Sequence, residues 1–203
     1  MRTAVFGGTF NPPHLGHTNL AEAVVNRGLA DKILFIPAYL PPHKLDWDMV
    51  GFDDRLNMLK LAVGYLKQTE VSDIESRRPD EPSYTAVTLE LLQQLNPEDK
   101  LILLIGEDSL QQLHTWRQAV ELAEKWEIMT YPRPPLSVSL EDLRRDWPEE
   151  LAEKLYRSKV DLPLYDVSST EIRYALKHGL DVAGMLDATV IKYIEEKSLY
   201  QWK

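Results

Sequence analysis

Two histidines three residues apart, His14 and His17, close the segment Gly7-Gly8-Thr9-Phe10-Asn11-Pro12-Pro13-His14-Leu15-Gly16-His17. If a helix begins near His14, that spacing puts both imidazoles on one face of its first turn. The two glycines upstream lack a Cβ, so the backbone can turn sharply there and a phosphate can come close to main-chain N–H groups. Pro12 and Pro13 stiffen the entry to the helix, where a missing N–H costs little. Gly16, between the two histidines, carries no side chain that could block a ligand. Two imidazoles and the positive end of a helix dipole then converge on one point, which favours an anion. Two unrelated surface histidines are the plainer alternative, but they would not explain the glycines and prolines. A zinc site finds no third ligand at useful spacing, and cysteine is absent.

Such a loop needs a frame. Thr3-Ala4-Val5-Phe6 is an apolar run that stops at Gly7-Gly8, which predicts a buried strand and a turn. Helical spacing of Leu20, Ala21, Val24 and Val25 follows, with Gly28 as a C-terminal stop. Ile33 to Ile36 predicts a second strand, cut off by Pro37, and Leu56, Leu59, Val63 and Leu66 predict a second helix. A weak strand near Glu70-Val71 and a helix from Tyr84 to Leu95 come next. Leu101 to Ile105 is the strongest strand and Gly106 ends it; helical sequence runs through Ala119, Leu122 and Ala123 to a strand near Ile128 to Thr130. Strands apolar throughout, alternating with helices, predict an α/β fold: a doubly wound, Rossmann-like parallel sheet with helices on both faces. Ligands then belong at the carboxyl ends of the strands. The interval from Pro134 to Leu164 fits the alternation less well and reads as one or two decorating helices. The last helices begin near Ser169 and Asp187. With no repeat and no long linker, residues 1–203 read as one domain with a helical part from about Ser169.

Composition narrows the function classes. There are 203 residues, no cysteine and a formal net charge of −9. Disulfides, iron–sulfur clusters and a thiol nucleophile are excluded, and a reducing cytoplasm is the expected location. The acidic balance argues against coating nucleic acid or an anionic membrane. No apolar run approaches the ~20 residues that span a bilayer, and the N-terminus reads as strand rather than signal peptide.

A second segment, Val167-Ser168-Ser169-Thr170-Glu171-Ile172-Arg173, has capping-box spacing between Ser168 and Glu171, so a helix starts there. Its hydroxyls, the N–H groups of that start and Arg173 compose a second phosphate site; a purely structural cap is the alternative.

Together these segments resemble the HxGH nucleotidyltransferases, and more closely their nicotinate- and nicotinamide-mononucleotide adenylyltransferases of bacterial type. The resemblance runs from Met1 to about Arg173. It implies that His14 and His17 contact the triphosphate and stabilise charge at the α-phosphate, with Gly8, Thr9 and Phe10 lining the ATP site. Val167, Ser168, Ser169, Thr170 and Arg173 match the SSTxIR segment that binds ATP. Pro41-Pro42-His43-Lys44 looks like the PPHK loop, whose lysine reaches the phosphates. Pro82-Ser83-Tyr84-Thr85 looks like the SYT segment that receives the pyridine nucleotide. Gly106-Glu107-Asp108 with Trp116 looks like the GxD…W segment, in which the aspartate lies near the ribose and the tryptophan stacks on the pyridine. Read bare, Asp108 is a helix N-cap and Trp116 a core aromatic. Arg133, after a strand end, either completes the phosphate cluster or is simply exposed. The family usually reads YTxDTL, and here Val87 stands at the aspartate position, so any polar contact made by that acid is lost.

The resemblance implies transfer of AMP from ATP to nicotinate mononucleotide, with catalytic roles for His14, His17, Lys44 and Arg173 and a mononucleotide site at Tyr84, Thr85 and Trp116. Mg²⁺ is expected on the ATP phosphates rather than in a protein cage. The alternatives are preference for the nicotinamide form and a nucleotide-binding sensor that has lost turnover; the latter would be expected to lack His14 or His17. Oligomeric state is not legible, and Leu199 to Trp202 reads as packing either locally or on another subunit.

Overall fold

The computed structural model describes residues 1–41 and 49–201. Five parallel strands form one sheet in the order β3-β2-β1-β4-β5: β1 (Arg2–Gly8), β2 (Lys32–Pro37), β3 (Thr69–Val71), β4 (Lys100–Gly106) and β5 (Glu127–Tyr131). Around it stand α1 (Leu15–Asn26), α2 (Phe52–Val63), α3 (Thr85–Leu95), α4 (Glu107–Gln112), α5 (Ala119–Lys125), α6 (Leu140–Asp146), α7 (Glu149–Arg157), α8 (Ser169–Lys177) and α9 (Ala188–Glu196). The doubly wound α/β reading holds. Strand order reverses at β1, whose neighbours are β2 and β4, so the crevice between the carboxyl ends of β1 and β4 is the switch point where such folds take ligands.

Side-chain alternation along each strand feeds two cores, one per face. Ala4, Phe6, Ile33, Phe35, Ile102 and Leu104 point toward α1, α2, α8 and α9. Val5, Leu34, Ile36, Leu101, Leu103 and Ile105 point toward α3, α4, α5 and α7. Burial on both faces is why these strands read as unbroken apolar runs.

Two boundaries differ from expectation and a third holds. Gly7 and Gly8 do not end β1: they pair with Ile36 and Pro37 and carry the strand on, so the turn comes after them. Leu66 lies beyond α2, which ends at Val63; Leu66 still packs on the core from the following loop. Gly28 does follow α1, with φ +66, the left-handed geometry that glycine adopts without penalty.

The 134–161 interval is more than decoration. Its two helices, α6 and α7, return the chain to the free edge of β5, where Thr130 N–H donates to Ser158 O (2.9 Å) and Val160 N–H to Thr130 O (2.9 Å). That bridge covers an edge that would otherwise offer unpaired groups to another chain. Beside it, Lys159 Nζ reaches Glu107 Oε1 (2.6 Å) and Val138 O (2.8 Å). Glu107, 4% exposed, opens α4 at the end of β4. Breaking a buried pair from one side leaves the other charge without compensation. Lys159→Met should therefore lower unfolding free energy by about 2–4 kcal/mol in a urea titration, and a loss below ~0.5 kcal/mol would mean that Glu107 is solvated by other means.

Candidate active site

The chain leaves β1 at Gly8 and enters α1 at Leu15, and the turn between them fixes the two histidines. His14 is the N-cap of α1 in extended geometry (φ −142°, ψ 169°). Its main-chain N–H donates to Nδ1 of His17 (3.1 Å), so the neutral His17 ring carries its proton on Nε2, making that nitrogen a donor. The rings stack with centroids 3.6 Å apart and planes 25° from parallel. His17 also lies edge-on to Phe10 (4.9 Å, 71°), itself packed on Phe6 and Phe35. An aromatic floor thus fixes the ring that the capping contact orients.

The glycines serve the rings more than a ligand. A Cβ on Gly8 would come within 3.0 Å of the Phe10 ring, and one on Gly16 within 3.0 Å of Cε1 and Nδ1 of His14. Phe10 has φ 49°, an uncommon conformation for a residue with a side chain. Gly16 makes room for the ring of His14.

His14 is 7% exposed. Burial, assisted by the nearby Arg133 guanidinium, pushes its imidazole down to about 3, so the ring is neutral at pH 7. Among the described residues its Nδ1 has no hydrogen-bond partner. The helix start is less open than its position suggests, because Leu15 N–H donates to Met185 O (2.9 Å) and His17 N–H to His14 O (2.9 Å).

The second segment docks on the first. Ser168 caps α8 by accepting Glu171 N–H (3.2 Å), which is the predicted cap. Ser169 Oγ donates to Pro12 O (2.9 Å), and Arg173 Nη1 donates to Asn11 O (2.9 Å) while Nη2 lies 3.5 Å from Thr170 Oγ1. Arg173 is therefore anchored through one arm of its guanidinium on the histidine loop. Val167 leads into this cap, its N–H donating to Tyr165 O (3.0 Å).

On the other side of β1, Gly106 and not Asp108 is the N-cap of α4, and the carboxylate of Asp108 instead forms an ion pair with Arg133 (Oδ2 to Nη1, 3.1 Å). A Cβ on Gly106 would fall 2.4 Å from Asp108 Oδ1, so glycine there is a condition for this pair. Tyr131, beneath them, is pushed up to about 12 by burial.

Tyr84 is the N-cap of α3 and Thr85 its first residue. Ser83 fastens them to the loop after β2: its Oγ accepts N–H from Tyr39 (3.0 Å) and Leu40 (3.2 Å). Trp116 is half-buried against the α3/α5 core. Val87 is half-buried on α3. The guanidinium carbon of Arg117 stands 4.8 Å from the centre of the Tyr84 ring. Lys44 and its loop neighbours Pro42 and His43 lie outside the described residues, as does Trp202.

Sequence reasoning passed over Asn11, Arg55, Arg117 and Tyr200. Asn11 stood inside the quoted motif without a role. The others belong to no recognisable pattern, and their partners are carbonyls and rings that only the fold brings near.

A family model described as cytidylyltransferase-like matches residues 5–175. A nicotinate-nucleotide adenylyltransferase of Clostridium tetani is 34% identical over 202 residues, spanning 98% of this chain and 99% of the relative. The one from Caldicellulosiruptor saccharolyticus is 35% identical over 203 residues, spanning 99% and 100%. Among solved structures, the nicotinic acid mononucleotide adenylyltransferase of Plasmodium falciparum complexed with NaAD superposes with a TM-score of 0.80 at 17% identity, covering 100% of this chain and 98% of that one; at that identity the likeness speaks to fold. With the two motif segments docked on each other at the switch point and 34–35% identity to these relatives over essentially the whole chain, the chain belongs to the nicotinate-nucleotide adenylyltransferases, nucleotidyltransferases of the cytidylyltransferase-like family.

Proposed function

We propose that this chain transfers the adenylyl group of ATP to nicotinate mononucleotide, giving deamido-NAD and pyrophosphate in NAD biosynthesis, at the crevice between β1 and β4. The observation that carries the residue assignment is the stacked His14–His17 pair at the start of α1, with Arg173 and Ser168 to Thr170 docked against its loop. A phosphate oxygen of the mononucleotide attacks the α-phosphorus of ATP. The new P–O bond forms as the bond to the β-phosphate oxygen breaks, and pyrophosphate leaves with the electron pair. The nucleophile is already ionised, so positioning and charge stabilisation carry the rate. His17 Nε2–H, His14, Lys44 and Arg173 meet the phosphates; Gly8, Thr9, Phe10, Gly106, Asp108, Arg133 and residues 167–170 line the ATP side.

Among the described residues no group of three or more histidines and carboxylates is placed to hold a metal ion. Mg²⁺ would enter with the triphosphate and would neutralise part of its charge. We place the reaction in the cytoplasm, without nucleic-acid or membrane partners; no helix among the described residues is long and apolar enough to cross a membrane.

Tyr84, Thr85 and Trp116 receive the pyridine, and Arg117 at that rim adds a positive charge that favours a carboxylate over an amide. The test is pyrophosphate release from Mg·ATP with either mononucleotide supplied alone. Release with the nicotinate form is expected to exceed release with the nicotinamide form at equal concentration, and no release with either would overturn the assignment. Arg117→Gln should reduce the preference for the acid by about 5–10-fold, the worth of one charge-assisted contact at a partly exposed rim. An unchanged ratio would leave the discrimination to main-chain groups.

A further inference from the structure

The loop from Thr9 to Pro12 is held by contacts from α2, from α8 and from the segment after α9. Arg55, 1% exposed on α2, donates through Nη1 to Thr9 O (2.8 Å) and through Nε to Val50 O (3.2 Å). Asn11 O accepts from Arg173 and Pro12 O from Ser169. The side chain of Asn11 is fixed from two directions: its Oδ1 accepts Val50 N–H (3.3 Å) and the hydroxyl of Tyr200 (2.8 Å).

Tyr200 is 1% exposed and reaches Asn11 across 189 positions of sequence. It follows α9, which lies on α2 with the Tyr193 hydroxyl donating to Asp54 Oδ1 (2.9 Å). After α9 the chain turns back through Ser198 (φ 52°), Leu199 N–H donates to Ile194 O (3.0 Å), and Tyr200 itself sits at φ 62°. A left-handed backbone at a residue with a ring is sparsely populated and persists only where its surroundings over-determine it. Filling the core alone would need neither that conformation nor a hydroxyl, because a buried hydroxyl is costly unless it is bonded. Burial also pushes this phenol well above its usual range, so the group stays a donor.

We propose that Tyr200 is a positioning residue for the adenylyl transfer: its hydroxyl locks the Asn11 side chain and thereby holds the loop that presents His14 and His17. The C-terminal segment acts as a latch on the phosphate-binding turn. Phe10, next to Asn11, is the floor on which His17 rests, so a loosened Asn11 is passed directly to the ring that faces the α-phosphate.

This rests on the reading of the two histidines as triphosphate ligands, and the parent protein tests that separately: no turnover by the parent defeats the histidine reading. The test of the latch is Tyr200→Phe in the full chain, which keeps the ring and removes the hydroxyl. Displacement of reacting groups by less than 1 Å should lower kcat by ~5–20-fold, with KM for both substrates within ~2-fold and the far-ultraviolet circular dichroism unchanged. Val190→Ala, which hollows the buried face of the same helix without touching the loop, should lower the melting temperature and leave kcat per folded molecule at the parent value. In an Asn11→Ala background, Tyr200→Phe should cost no further turnover. Parental kcat in folded Tyr200→Phe, or full additivity of the two substitutions, would reduce Tyr200 to a core residue. If Tyr200→Phe does not fold, Tyr200→Met is read out in the same way.

Discussion

Replacing His17 with alanine should cut turnover by ~100-fold or more while the protein stays folded, since losing one donor aimed at developing charge typically costs about 3–4 kcal/mol of transition-state stabilisation. The geometry says which atom matters. Nδ1 is occupied by the His14 main-chain N–H, so the proton resides on Nε2. Alanine removes both functions, and a sceptic would attribute the loss to the helix start. His17→Asn separates them: an asparagine oxygen at the same position in the first turn can still accept the His14 N–H but does not extend to where Nε2 stood. Folding stability should return toward the parent value in His17→Asn while kcat remains low. If His17→Ala turns over at near the parental rate, the assignment of His17 to the α-phosphate is wrong.

The second large effect concerns pH. His14 is neutral in the fold, held near 3 first by burial and then by Arg133, against 6.5 when solvated. Between those values the unfolded chain binds a proton that the native chain does not. Stability therefore rises with pH through this window and is lost as pH falls below 6.5. At about 1.36 kcal/mol per unit, the full window is worth on the order of 5 kcal/mol. Urea unfolding of the parent between pH 7 and pH 4 should show this added slope, and His14→Gln should lack it. Parallel pH profiles for the two proteins would mean that the native imidazole titrates normally. Because a bound triphosphate favours the imidazolium, ATP should also bind with proton uptake in acid solution, visible as a buffer-dependent heat.

The strands and the two motif segments were legible in the sequence because each rests on a local pattern. Unbroken apolar runs marked the buried strands, and Ser168 with Glu171 marked a cap that formed where expected. The reasons for particular residues were less legible. Gly16 serves the ring of His14, which depends on how far that ring folds back on its own helix start. Asp108 pairs with Arg133 because β4 and β5 are neighbours in the sheet, and spacing in sequence does not encode that adjacency. Arg55, Ser169 and Arg173 all hold main-chain carbonyls, which every residue carries alike, so no side-chain pattern at Thr9, Asn11 or Pro12 could announce them. The pairing of Thr130 with Ser158 and Val160 is too short to leave an alternating run, so the interval before it read as mere decoration.

The pins on the histidine loop also set an order of events during synthesis. Met185 receives Leu15 N–H, Ser169 and Arg173 hold Pro12 and Asn11, and Tyr200 closes on Asn11. Every one of these partners emerges from the ribosome long after the loop it restrains. A nascent chain that has already paired β1 with β2 still carries an unlatched phosphate turn. If the latch acts as proposed, full competence to react with ATP arrives only once the segment after α9 has closed, whatever the sheet has achieved before then, and contacts of such long sequence separation are the slow ones to close.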